Sequence, residues 1–168
     1  MTDDLASLYA YTRWADARML EACRQLPPER YAEEVVPGWA SVKASLAHLA
    51  GAADLWARRL EGRDASTWVS EDELPTPDAA AKLLDQSWDA IERVIARSTA
   101  ETRAGLFTYR NIKGVEYIVP LWSVLRHVAN HATYHRGQVA SKLKRLGVEP
   151  PGMDMVLWAI ELTPTPGG

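Results

Sequence analysis

Three of the four histidines in this chain fall in one stretch, LRHVANHATYHRGQ, at positions 127, 131 and 135. A spacing of four stacks side chains on successive turns of a helix, so neighbouring imidazoles can share one ion. A His pair at i and i+4 is the helical chelate on which zinc metallopeptidases are built. Here the intervening residues are Ala132, Thr133 and Tyr134. The glutamate that would serve as general base is missing, and peptide hydrolysis by that scheme is not supported. The fourth histidine, His48, stands in a separate segment, SLAHLAGAADLWARRL. One His from one helix plus an i,i+4 pair from another is a common way to build a metal site between helices.

Which adjacent pair serves is a question of helix geometry. At roughly 100° per residue, Leu121, Leu125, Val128, Ala132, Val139, Leu143 and Leu146 define one apolar stripe. His135 falls roughly 50° from the centre of that stripe, His131 roughly 80° and His127 roughly 120°. A lone helical histidine is usually a satisfied or solvated side chain, but a pair beside the core is harder to explain that way. The expected ligands are therefore His131 and His135, with His127 on the flank, either supporting a ligand or solvated. His48 is off the main stripe of its own helix, on a face with Ala44, Gly51, Ala52 and Leu55 that lets a neighbour or a ligand approach closely.

Four further residues are candidates for the surroundings of the site. Trp14 and Trp56 could wall a pocket, although ordinary packing explains each singly. Arg136 follows a candidate ligand and Gln138 lies three residues on from it; each could orient a ligand or bond to a neighbouring helix. Three neutral imidazoles leave at least one metal position open, the layout of a catalytic rather than a closed structural site. Nitrogen donors favour a transition metal over magnesium. Cys23, the single cysteine, lies on an apolar stripe and is expected to be core rather than nucleophile.

The elements that must hold these residues are legible from periodicity. Leu5, Leu8, Tyr9, Ala15, Met19, Ala22, Cys23 and Leu26 recur at spacings of three and four, one amphipathic helix stopped by Pro27-Pro28. Residues 29–38 read as a loop ending in Pro37-Gly38. A second helix is expected from about Ser41 to Leu60, striped by Val42, Leu46, Leu49, Ala50, Ala53 and Ala57 and closed by Gly62. After a polar connection over 62–76, Thr76-Pro77-Asp78 places an N-cap, a proline and an acid at the start of a third helix running to about Ser98. Its inward residues are Leu83, Leu84, Trp88, Ile91, Val94 and Ile95.

Residues 105–119 alternate around Asn111-Ile112-Lys113-Gly114 and predict an extended arm or hairpin, which must lie against helices to be stable. Pro120 opens a fourth helix that continues to Gly147, and a short helix is expected over Met153 to Leu162. The expectation is an all-α four-helix bundle with one appended helix: a single domain over 1–162 and a disordered tail over 163–168.

Composition narrows the class. The chain has 168 residues, 47% hydrophobic and 24% charged, enough to bury one full core without disulfide staples. Its net charge of −3 comes with mixed signs and no basic stripe, which argues against nucleic acid and against a polybasic membrane anchor. One cysteine cannot form an internal disulfide, and no apolar run reaches membrane-spanning length, so a cytoplasmic location is expected. Seven tryptophans stand against a single Phe, more bulky apolar surface than one small bundle needs.

On these residues the chain resembles the DinB/YfiT-like metalloenzyme family. YTRWADARML resembles that family's opening helix, SLAHLAGAADLWARRL its second helix with a lone ligand histidine, and HVANHATYHRGQ its most specific segment. The resemblance implies an up-down-down-up four-helix bundle and a metal, nickel or zinc in different members. It implies that His48, His131 and His135 bind the metal; of these, His131 and His135 are the pair that the helical geometry favours. The position of His127 is often His in relatives without counting as a ligand, and Asp16 stands where relatives often carry Asn. Homodimers are common among relatives, and a two-fold dimer is expected here.

Members of the resembled family include transferases that use low-molecular-weight thiols and a thiol-dependent isomerase. The expected function is a metal-dependent transferase acting with such a thiol on a small molecule. The alternatives are a metal-dependent hydrolase and a non-catalytic metal- or ligand-binding protein of a stress response.

Overall fold

In the computed structural model, residues 4–163 are described. The chain is mostly helical with one small two-stranded sheet. Helix α1 spans Asp4–Cys23, α2 Pro28–Tyr31, α3 Val42–Leu60, α4 Pro77–Arg97 and α5 Ala100–Ala104. Strands β1 (Leu106–Arg110) and β2 (Glu116–Pro120) follow, then α6 (Leu121–Arg145) and α7 (Met155–Glu161). The long helices pack as a closed set of neighbours, with α1 against α4 and α6, and α3 against the same two.

Local chemistry explains the boundaries. The Ser41 side chain accepts from the Ala44 amide at 2.9 Å, satisfying a donor that the first turn of α3 leaves free. Thr76 does the same for Ala79 at 3.2 Å, with Pro77 entering α4 at a position that needs no N–H. Past α3 and α6 the chain turns away through Gly62 and Gly147, at φ of 69° and 79°, a left-handed conformation that a Cβ would strain.

The expected stripes make the core. Tyr9, Met19, Leu46, Leu84, Trp88, Ile91, Leu125 and Leu143 are all essentially inaccessible, and every member of the expected α6 stripe is buried. Truncating one such Leu to Ala costs about 2–5 kcal/mol. Tyr9, buried in that core, donates its hydroxyl to the Leu125 carbonyl at 2.8 Å and so ties α1 to α6.

Several short elements depart from expectation. The stretch 29–38 begins with the single turn α2, set by Pro27-Pro28 and anchored by buried Tyr31. The 62–76 connection contains a 3₁₀ turn at Glu71–Glu73, where the Ser70 amide donates to Glu73 Oε1 at 2.8 Å. Helix α5, five residues capped by Thr99, precedes the hairpin. Such pieces are too short for a hydrophobic period to register. Helix α1 ends at Cys23, and tighter turns carry the chain on to buried Leu26. Helix α7 is shorter than the expected 153–162.

The hairpin is antiparallel, pairing Leu106 with Pro120 through Arg110 with Glu116. Asn111 Oδ1 accepts from the Lys113 and Val115 amides and shapes the turn. Phe107 and Val119 pack against the helical core, which gives the hairpin its support. Of the tail expected over 163–168, only Thr163 is described, in a bend after α7, and the remainder lies outside the described residues. Among the described residues, no helix is long and apolar enough to cross a membrane.

Candidate metal centre

Helices α3 and α6 pack against each other, and their histidines meet between them. The i,i+4 spacing brings the His131 and His135 rings to 4.3 Å, centroid to centroid. The His48 ring lies 4.4 Å from that of His135 and 5.4 Å from that of His131. One ring nitrogen from each of the three falls within 4.8 Å of the others, an arrangement that could hold a metal ion. His127 is exposed, its ring 5.7 Å from that of His131, and takes no part in the group.

The protonation states suit a cation. His135 Nδ1 faces Gln138 Oε1 at 3.0 Å. With an oxygen acceptor there, Nδ1 carries the proton and Nε2 presents its lone pair. That Nε2 lies 3.1 Å from His131 Nε2, so two imidazole nitrogens aim at one point. Burial, then the neighbouring imidazoles, pushes His48 and His131 down to about 4. His135 is also lowered, by burial against the opposing hydrogen bond from Gln138. All three are therefore neutral donors at pH 7. No carboxylate or thiolate joins the group among the described residues, which leaves an ion bound there with an open position. The donor set thus fits a transition metal rather than magnesium or calcium.

Two tryptophans at the site carry no periodic signal in the sequence. Trp39, in the loop before α3, lies 4.0 Å from the His48 ring and 5.2 Å from that of His135. Trp68, in the connection after α3, stacks on His48 at 5.2 Å with the planes 25° apart. The small face of α3 makes room for it, because a Cβ on Gly51 would meet the Trp68 indole at 3.1 Å. The only advance sign of either residue is a tryptophan in a polar loop.

The other candidates distribute unevenly. Gln138 is at the site, against His135. Trp56 packs on the flank, 5.6 Å from His127 and 4.9 Å from Tyr109 of the hairpin. Trp14 is elsewhere, donating to Glu161 of α7 at 2.8 Å with Arg18 over its ring. A pocket role for Trp14 is therefore replaced by a clasp between α1 and α7. Arg136 also turns away, because one residue further along a helix points about 100° round. It is 2% exposed and donates to Asp16 Oδ1 at 2.9 Å and to Thr133 Oγ1 at 2.7 Å. Trp88 of α4 donates to the other Asp16 oxygen at 2.8 Å. Burial pushes the Asp16 carboxyl up, against the pull of the Arg136 guanidinium. Cys23 is fully buried, its thiol pushed up to about 12 by burial, so it is no nucleophile.

Comparison with known proteins gives the family of the chain. The protein DinB of Bacillus subtilis (strain 168) is 24% identical over 163 residues, which is 94% of this chain and 95% of the relative. A profile of the DinB family matches residues 1–165, taking in both histidine-bearing helices. On that match, nearly end to end, the chain belongs to the DinB family.

Proposed function

We propose that His48, His131 and His135 hold one divalent transition metal, nickel or zinc, and that the site serves a metal-dependent transferase. Its substrates are a low-molecular-weight thiol and a small electrophilic molecule. The observation that carries this reading is the convergence of three neutral imidazoles with no fourth protein donor among the described residues. A metal in such a site supplies Lewis acidity, which lowers the pKa of a thiol or of water. Gln138 fixes the tautomer and ring angle of His135, and Trp39 and Trp68 shield His48 from water.

The four long helices are proposed to follow the up-down-down-up order of the resembled family, in a cytoplasmic protein that pairs as a two-fold homodimer. Exposed Val156, Ile160 and Leu162 at α7 offer apolar surface for such pairing, and light scattering at micromolar concentration should return a dimer mass.

The test of function is a screen of low-molecular-weight thiols against electrophiles, with and without a chelator. Turnover should require both metal and thiol, and removal of either should abolish it. A reaction that survives full chelation overturns the proposal. Turnover that needs metal but no thiol points to hydrolysis instead, and retained metal with no turnover to a binding role.

A further inference from the structure

Two turns beyond His135, on the same face of α6, stands a lysine with no partner. Lys142 is 4% exposed, and among the described residues it makes neither a hydrogen bond nor an ion pair. Burial, then the nearby Arg145, lowers its pKa. Among the described residues, the fully enclosed polar side-chain atoms without a partner are those of Tyr31, Ser45 and Arg59 and do not include Lys142 Nζ. The stem of Lys142 is therefore buried while its ammonium keeps an opening, and a cation placed there with no protein counter-charge calls for an explanation.

The surroundings supply one. Lys142 lines a cavity of about 290 Å³ together with Val36, Trp39, Gln138 and Ser141. Among the described residues, no acidic side chain lines it. The volume is at the small end for ligand sites. Gln138 and Trp39 belong to both places, since each also touches the His135 ring. Seven residues of helix separate His135 from Lys142 by roughly 10 Å along the axis. The backward tilt of helical side chains brings the ammonium towards the histidines.

We propose that Lys142, with Ser141 and Gln138, forms a subsite for the carboxylate of a small-molecule ligand whose other end reaches the histidine cluster. The subsite rests on the reading that the cluster serves a small molecule, but its charge preference is independent of the metal. Lys142 and Ser141 supply donors to the carboxylate, Trp39 walls the connecting stretch, and the ligand's anion neutralises the lysine.

The probe pair is N-acetylcysteine and its neutral amide, titrated calorimetrically into the metal-free protein, where no metal charge contributes. The native protein should bind the acid about 10–100-fold more tightly than the amide, the range for a hydrogen bond to a charged group. Lys142→Met should abolish that preference and Lys142→Arg should keep most of it, with circular dichroism melting confirming the fold of each. Should Lys142→Met fail to fold, the native comparison and Lys142→Arg still decide. A native protein that binds acid and amide equally, or binds neither, overturns the subsite, as does an acid preference that survives in Lys142→Met. Absence of the acid preference in native protein that can be loaded with metal removes this proposal alone; an acid preference in native protein whose triad takes up no metal removes only the metal reading.

Discussion

Adjacent residues of one helix open onto two polar clusters of opposite character, one buried and one half-buried. Arg136 donates to Asp16 of α1 and to Thr133 of its own helix, and Trp88 of α4 donates to the other Asp16 oxygen, so that both Asp16 oxygens and two guanidinium nitrogens are bonded. His135 faces α3, where it meets His48 and, from its own helix, His131, with no acid in the group among the described residues. The first cluster is closed: its charges cancel and its hydrogen bonds are made within the protein. The second is open, with lone pairs converging on a point that no further acid or thiol among the described residues joins. Buried polar groups that complete one another specify packing, whereas half-buried ligand nitrogens left converging call for something from outside. The difference separates structure from function on a single turn of α6.

The largest effect that can break this comparison is on the closed side. Asp16→Ala leaves the Arg136 charge buried and unpaired, and should destabilise the fold by about 3–5 kcal/mol. For a chain of this size that is a fall of about 6–20 °C in Tm. Metal content at a temperature where the variant is folded should be unchanged. A variant that keeps its stability and loses its metal would show that the two clusters are one.

A smaller effect sharpens the open side. Gln138→Ala removes the acceptor that fixes the His135 tautomer, and metal affinity should weaken by about 10–100-fold. A competition titration with a coloured chelator measures this, and unchanged affinity would reduce Gln138 to a bystander. Smaller still is Gly51→Ala, whose new methyl would press on the Trp68 indole at 3.1 Å. Trp68 is 38% exposed and free to yield, so the stability change should stay within about 1 kcal/mol. The Trp68 fluorescence, isolated by difference against Trp68→Phe, should shift to the red as the ring leaves His48.

Much of this was legible in the residues themselves, and the reason is regular. Ser41, Thr76-Pro77 and Pro120 announce helix starts through local chemistry, and the stripes of α3, α4 and α6 announce their buried faces. The choice of His131 and His135 over His127 followed from roughly 40° of rotation between neighbours four apart, and the structure leaves His127 exposed. What periodicity could not reach lies in loops and in contacts across the fold. Trp39 and Trp68 come from irregular segments whose path is set by tertiary packing. The partner of Arg136 is 120 residues away, and Trp14 meets an acid 147 residues distant. The turn α2 and the helix α5 are too short to leave a period.

The central claim is that the open cluster holds a metal through His48, His131 and His135. Elemental analysis of purified His48→Ala, His131→Ala, His135→Ala and His127→Ala, each beside the native protein, tests it most directly. The native protein should carry one nickel or zinc per chain, the first three variants should lose most of it, and His127→Ala should keep it with at most a modest loss of affinity. Loss of metal from His127→Ala together with its retention in His135→Ala would contradict the account, because it would place the ion on the other adjacent pair.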